Sequence, residues 1–252
     1  MRYFDLLGKK AIVTGGSRGL GRGMVEGLAE AGAEVAVIAI SDNVYTTVKE
    51  LNCLGYKVHA IKGDLSKRED LSVLFYEAVD KLGGNLDILV NSAGIQQRSK
   101  AEEFAIQDWD DIININLTAV FSLCQLAGRI MLEKGAGKII NIASLLSFRG
   151  GYGVPAYAAS KGGILQLTKA FANEWASRGV NVNAIVPGIM DTRMNQEIIN
   201  DPSRNSEILS KIPANRWGTP DDMKGVTIFL ASEASNYVNG AAIAVDGGYL
   251  VR

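Results

Sequence analysis

Two periodicities alternate along the chain. Short apolar runs bounded by glycine or polar turn residues trade places with stretches whose apolar positions recur every three to four residues. Residues 10–14 read as a first strand, and residues 18–31 as a helix that Gly32 ends. Residues 34–40 read as a second strand, followed by a helix over 42–54 with Asp42 at its N-cap and Gly55 past its end. Strands over 57–62, 86–90, 138–142, 180–186 and 242–245 bring the number to seven, with helices over 66–82, 108–133, 156–178 and 220–232. Strands that alternate with helices of this length imply right-handed crossovers and an α/β domain, a doubly wound parallel sheet covered on both faces. No linker, repeat or low-complexity stretch interrupts 1–252, so one domain is expected. Only 188–215 breaks the rhythm, polar and without a strand pattern. Because it follows a strand end it belongs at the carboxyl edge of the sheet, where a substrate lid would sit.

Composition narrows the chemistry. The 252 residues carry a net charge of −1, which supplies no field for nucleic acid or an anionic membrane. No uninterrupted apolar run reaches membrane-spanning length, and the start, with Asp5, does not read as a secretory leader. The two cysteines, Cys53 and Cys124, lie far apart and outside any metal-type spacing, which fits a reduced, cytoplasmic setting. The single histidine, His59, falls in the alternating run 57–62 and reads as a strand residue. A Ser-His-Asp hydrolase or a multi-histidine metal site would have to be built on that one side chain, so no metal is expected and proton chemistry must run elsewhere.

The first strand runs straight into Gly15-Gly16-Ser17-Arg18-Gly19-Leu20-Gly21, and a helix follows. Glycines at such a turn let the backbone approach a pyrophosphate, whose charge the helix N-terminus stabilises. Glycine spacing alone is a weak signal; its place between strand and helix makes it a candidate dinucleotide loop of a Rossmann-type fold. Further along, Tyr157 and Lys161 stand four residues apart on the predicted 156–178 helix and so share a face. Oxidising an alcohol requires a base for the hydroxyl proton while hydride leaves for a nicotinamide. A tyrosine with its ordinary pKa of about 10 is too weakly ionised for this, and Lys161 together with a positive nicotinamide ring would lower it.

The G-x3-G-x-G spacing of Gly15, Gly19 and Gly21, with Tyr157-Ala158-Ala159-Ser160-Lys161, resembles the short-chain dehydrogenase/reductase family over nearly the whole chain. The resemblance implies a catalytic tetrad of Asn116, Ser144, Tyr157 and Lys161. In it Ser144 bonds the reacting oxygen, Lys161 also holds the nicotinamide ribose, and Asn116 holds a water on the proton path. It implies cofactor contacts from Ser17, Arg18 and Leu20 in the glycine loop, from Asp64-Leu65, and from Asn91-Ser92-Ala93-Gly94, where Ser92 replaces the family's second asparagine. Pro187-Gly188-Ile189 and Thr192 add contacts near the nicotinamide carboxamide. Val245-Asp246-Gly247-Gly248 matches its closing motif, and family members are usually homotetramers.

The segments Ile139–Gly151, Asn173–Ala176, Ile212–Gly218 and Val245–Leu250 look most like the sugar-acid dehydrogenases of that family. The implied substrate is a small sugar acid or keto-sugar acid, with Arg98 and Arg149, both in loops after strand ends, as candidate carboxylate contacts. A 3-oxoacyl-carrier-protein reductase shares the tetrad and stays open, as does a non-catalytic dinucleotide-sensing module. At the end of the second strand the position that would carry an acid to bind the adenosine ribose is Ala39, while Ser41 and Arg18 suit a 2′-phosphate. NADP is therefore expected over NAD.

Overall fold

The computed structural model describes residues 2–192 and 195–252. Its seven strands are β1 (Lys10–Thr14), β2 (Glu34–Ala39), β3 (Val58–Lys62), β4 (Ile88–Asn91), β5 (Gly137–Ile142), β6 (Val180–Pro187) and β7 (Ala242–Val245). They form one sheet in the order β3-β2-β1-β4-β5-β6-β7, and every neighbouring pair is parallel. This is the Rossmann-type doubly wound sheet that the alternating pattern predicts, in a single domain.

The helices are α1 (Gly19–Glu30), α2 (Asn43–Cys53), α3 (Leu71–Lys81), α4 (Ile106–Ile113), α5 (Ala119–Lys134), α6 (Pro155–Trp175), α7 (Gln196–Ile199), α8 (Pro202–Ser210) and α9 (Lys224–Ala231). The strands read as unbroken apolar runs because helices cover both faces. Along β1, Ala11 and Val13 join a core with Val25, Leu28, Val48 and Leu230, while Ile12 joins one with Phe75, Leu123 and Ile164. Each of these side chains larger than alanine contributes about 1.5–3 kcal/mol on burial. His59 lies in β3 and bonds Glu34 at 2.7 Å across the sheet, a structural contact as expected.

Several helices depart from their predicted extent. The 108–133 helix is two helices joined by a π turn at Asn114–Thr118. The combined stretch Ile106–Lys134 has the length and apolar character of a membrane span, yet half of its apolar window is buried in the protein. Val120, Leu123, Cys124, Ala127 and Met131 of α5 all lie in the core. The 188–215 segment holds α7 and α8, the latter started by Pro202 and capped by Asp201, whose carboxylate accepts from the Ser203 and Arg204 amides. Residues 193 and 194 of that segment lie outside the described residues. Asp42 occupies the N-cap position of α2 but does not cap it. Its carboxylate turns to Lys62 at the end of β3, 2.8 Å away, and that partner raises the Lys62 pKa.

β1 and β4 are neighbours whose onward connections cover opposite faces. Their carboxyl ends part and open a crevice, the place where sheets of this kind bind ligands.

Candidate active site and cofactor cleft

The floor of the crevice is the turn from β1 into α1. Gly15 has φ +68, and a Cβ there would lie 2.8 Å from the Ala93 Cα, so only glycine lets the β1 and β4 turns close on each other. Thr14 ties the two turns together, its Oγ1 accepting from the amides of Ser92 and Ala93 at 3.1 Å each. Thr47 of α2 holds the loop from behind through the Ser17 carbonyl at 2.9 Å. No side chain caps α1, which leaves its first-turn amides for an anion. The close-packed glycines and the uncapped helix fit a dinucleotide pyrophosphate.

Above the loop opens a cleft of about 850 Å³. Gly15, Ser17, Arg18, Gly19, Leu20, Gly21, Ser41, Asp64, Leu65, Ala93, Gly94, Pro187, Gly188, Ile189 and Thr192 line it, together with Ser144, Tyr157 and Lys161 and with Arg98 and Arg149. The structure thus gathers nearly every expected site residue around one cavity. Two stand apart. Asn91 is 2% exposed and faces the core. Its amide donates to Asn141 at 2.9 Å and to the Cys124 sulfur at 3.3 Å, because the alternation of β4 turns it inward. Asn116 is fully buried in the π turn, and its side chain clamps Ile95, accepting from its amide at 2.8 Å and donating to its carbonyl at 2.9 Å. That amide also donates to Ser160 Oγ at 3.3 Å, and Ser160 donates to the Tyr157 carbonyl at 2.8 Å. The Asn116 side chain therefore positions the Gly94-Ile95 turn against the Tyr157 helix.

Ser144, Tyr157 and Lys161 meet where β5 ends against the first turns of α6, which starts at Pro155. Burial pushes the Tyr157 phenol above its ordinary pKa, and the Ser144 hydroxyl hydrogen-bonded to it pulls partly the other way. Burial also lowers Lys161 to about 8. Its Nζ donates to the Ile142 carbonyl at 2.6 Å and lies 5.6 Å from the Tyr157 ring centre. A tyrosine held neutral is a proton donor, the role needed when a ketone is reduced. It becomes a base once a cation beside it favours the phenolate.

On the open side, Arg98 and Arg149 are exposed on the cleft wall, and neither pairs with a carboxylate among the described residues. The Arg149 guanidinium lies over the Tyr249 ring, 5.3 Å from its centre. The sequence reading missed Tyr249 and Tyr152 as cleft walls, since both come from stretches without a catalytic spacing. It also missed Ser147, whose hydroxyl accepts from the Ser144 amide at 3.2 Å and donates to the Lys161 carbonyl at 2.7 Å. The Ser-x-x-Ser capping box around that turn was the available signal.

Known proteins share this arrangement. A family model described as enoyl-(acyl carrier protein) reductase matches residues 15–250. The 2-dehydro-3-deoxy-D-gluconate 5-dehydrogenase of Escherichia coli (strain K12) is 48% identical over 250 residues, covering 99% of this chain and 98% of that protein. The protein of the same name from Bacillus subtilis (strain 168) is 48% identical over 249 residues, covering 99% and 97%. The crystal structure of a gluconate 5-dehydrogenase from Burkholderia cenocepacia J2315, in complex with NADP and tartrate, matches with a TM-score of 0.94 and 35% identity. The match covers 100% of this chain and 98% of that one. With the glycine loop, the Ser-Tyr-Lys cluster and the parallel sheet all in place, the chain belongs to the short-chain dehydrogenase/reductase family.

Proposed function

We propose that this protein is an NADP-preferring oxidoreductase that interconverts a secondary alcohol and a ketone on a small sugar acid. The observation that carries the substrate class is the pair of arginines, Arg98 and Arg149, free of carboxylate partners among the described residues, on the wall that also holds Tyr157 and Ser144. A planar guanidinium binds a carboxylate through two parallel hydrogen bonds, and an acyl chain would find no use for either charge. The names of the relatives, dehydrogenases of gluconate and of a deoxy-keto-gluconate, support the same class, and so does the tartrate held by one of them.

NADP preference rests on the end of β2. Ala39 offers no acid to the adenosine ribose, Ser41 and Arg18 line the cleft, and the nearby Asp42 is neutralised by Lys62. A bound NADP supplies the hydride acceptor or donor. In the oxidative direction Tyr157 takes the hydroxyl proton while the carbinol hydrogen leaves as hydride; in reduction the same phenol returns the proton to the ketone oxygen. Ser144 holds that oxygen, and Lys161 keeps a positive charge beside the phenol. The 188–215 segment, with α7 and α8, closes over the substrate as a lid. A cytoplasmic homotetramer, docked through the long helices that carry Asn116 and Tyr157, completes the reading.

The deciding experiment is Arg98→Ala, assayed on an acidic substrate and on its neutral sugar analogue with NADP. Loss of a hydrogen-bonded charge partner costs roughly 1.5–3 kcal/mol, about ten- to a hundredfold in kcat/KM on the acid. The neutral analogue should change little. Equal losses on both substrates, or none on the acid, refute a carboxylate role for Arg98.

A further inference from the structure

Beside the cleft, and sharing Arg149 and Tyr249 with its wall, lies a second hollow of about 360 Å³ lined by Arg149, Ser210, Lys211, Tyr249 and Arg252. Its cations come from three stretches far apart in the chain: the loop after β5, the end of α8 and the last residue. Each is held by a different contact. Arg149 lies over Tyr249, Arg252 donates to the Ser210 carbonyl at 2.5 Å, and Lys211 bonds Glu207 at 2.5 Å. The acidic group beside them is Glu207, already engaged by Lys211. That leaves an excess of positive charge in a concave site. Glu207 raises the Lys211 pKa, while Arg149, which lines the same hollow, opposes it as the smallest of the influences on that group. Such a gathering is costly unless an anion joins it, and it concentrates anions from solution.

We propose that this hollow is an oxyanion subsite opening from the side of the catalytic cleft, which takes a carboxylate or phosphate group. The group arrives either as the far end of a substrate already seated in the cleft or as a free anion. The first source rests on the sugar-acid reading above; the second does not. Because Arg149 and Tyr249 belong to both cavities, a ligand in the hollow meets the cleft at the arginine that faces both.

The test titrates inorganic phosphate by calorimetry into enzyme saturated with NADP, so that the glycine loop is already filled. Phosphate should bind the wild type, bind at least tenfold more weakly to Lys211→Gln and Arg149→Gln, and bind Arg98→Gln as it binds the wild type. All three side chains are exposed, and retained NADP binding shows that each variant is folded. Turnover of gluconate and of 6-phosphogluconate then separates the sources. A lower KM for the phosphorylated acid in the wild type, absent in Lys211→Gln, assigns the hollow to the substrate's far end. Equal KM values alongside Lys211-dependent phosphate binding assign it to the free anion. Phosphate that does not bind, or that binds all variants alike, overturns the subsite and leaves the Arg98 reading untouched. Absence of turnover on every sugar acid defeats that reading instead, whatever phosphate does.

Discussion

Ser147→Ala removes a single oxygen that joins the serine turn to the catalytic helix. That oxygen accepts from the Ser144 amide at 3.2 Å and donates to the Lys161 carbonyl at 2.7 Å. Each hydrogen bond is worth a net of about 0.5–1.5 kcal/mol, so the pair contributes roughly 1–3 kcal/mol. At about 2–4 °C per kcal/mol for a chain of this size, the melting temperature should fall by several degrees. The kinetic effect should be larger than the stability loss suggests. The Ser144 Oγ still accepts from the Leu146 amide at 3.2 Å, but its backbone loses the second restraint that aims it at the reacting oxygen. A displacement of about 1 Å at a reacting group costs on the order of a hundredfold, and a partial shift should cost about tenfold. Ser147 does not line the cleft, so it acts as a positioning residue. The loss should appear in kcat, with the KM for NADP unchanged. Ser147→Thr keeps the hydroxyl and should restore most of the rate. Steady-state kinetics at saturating cofactor, with a thermal melt of each variant, make the check. Wild-type kcat in Ser147→Ala, or equal losses in the alanine and threonine variants, would refute the tether.

Three further outcomes follow from the same geometry. Tyr157→Phe should lose about 10² to 10⁴ in turnover while NADP affinity stays within a few-fold, since the phenol moves a proton and does not anchor the cofactor; retained turnover in the purified variant sinks the mechanism. Gly21→Ala should weaken NADP binding at least tenfold by calorimetry, because its Cβ would run into the Gly15 carbonyl and force the loop open; unchanged affinity would place the pyrophosphate elsewhere. Lys161 titrates at about 8 in the fold against about 10.4 in an unfolded chain, so between those values the unfolded state binds the extra proton and stability rises with pH. Measured by urea unfolding from pH 7 to 10 without cofactor, wild type should gain about 2–3 kcal/mol relative to Lys161→Met; a difference that does not change with pH contradicts the buried amine.

The parts of this molecule that were legible in its sequence are those where one physical requirement dictates residue type. Strands buried on both faces must be apolar throughout, so all seven were visible and their ends moved by no more than two residues. A backbone turn pressed against Ala93 must be glycine, and a proton-transfer pair on one helical face must be spaced by four. Readings failed where a distant partner decides. Asp42 has the right identity and place for an N-cap, but Lys62, twenty residues on and one strand over, outbids the α2 amides. Asn91 belongs to a cofactor motif, yet the buried Asn141 on the next strand claims its amide. The π turn at Asn116 inserts an extra residue into an otherwise helical pattern, and a periodicity count over 108–133 averages it away. The hollow of Arg149, Lys211 and Arg252 has no sequence signal at all, because only the fold brings those positions together.

The protonation state of the site also carries a consequence for direction. With only the protein's own groups around it, Tyr157 is held neutral: burial raises its pKa, while Lys161, lowered to about 8, still keeps most of its charge near neutral pH. Both shifts have the same cause, the low-dielectric pocket between β5 and α6, and both oppose formation of a phenolate–ammonium pair. A positive nicotinamide, which the cleft would hold only with the oxidised cofactor, would favour the Tyr157 phenolate that oxidation needs. The neutral reduced ring leaves Tyr157 as the acid that reduction needs. On the proposed mechanism the buried pair would take its protonation from the redox state of a bound cofactor, and the same three side chains would serve both directions.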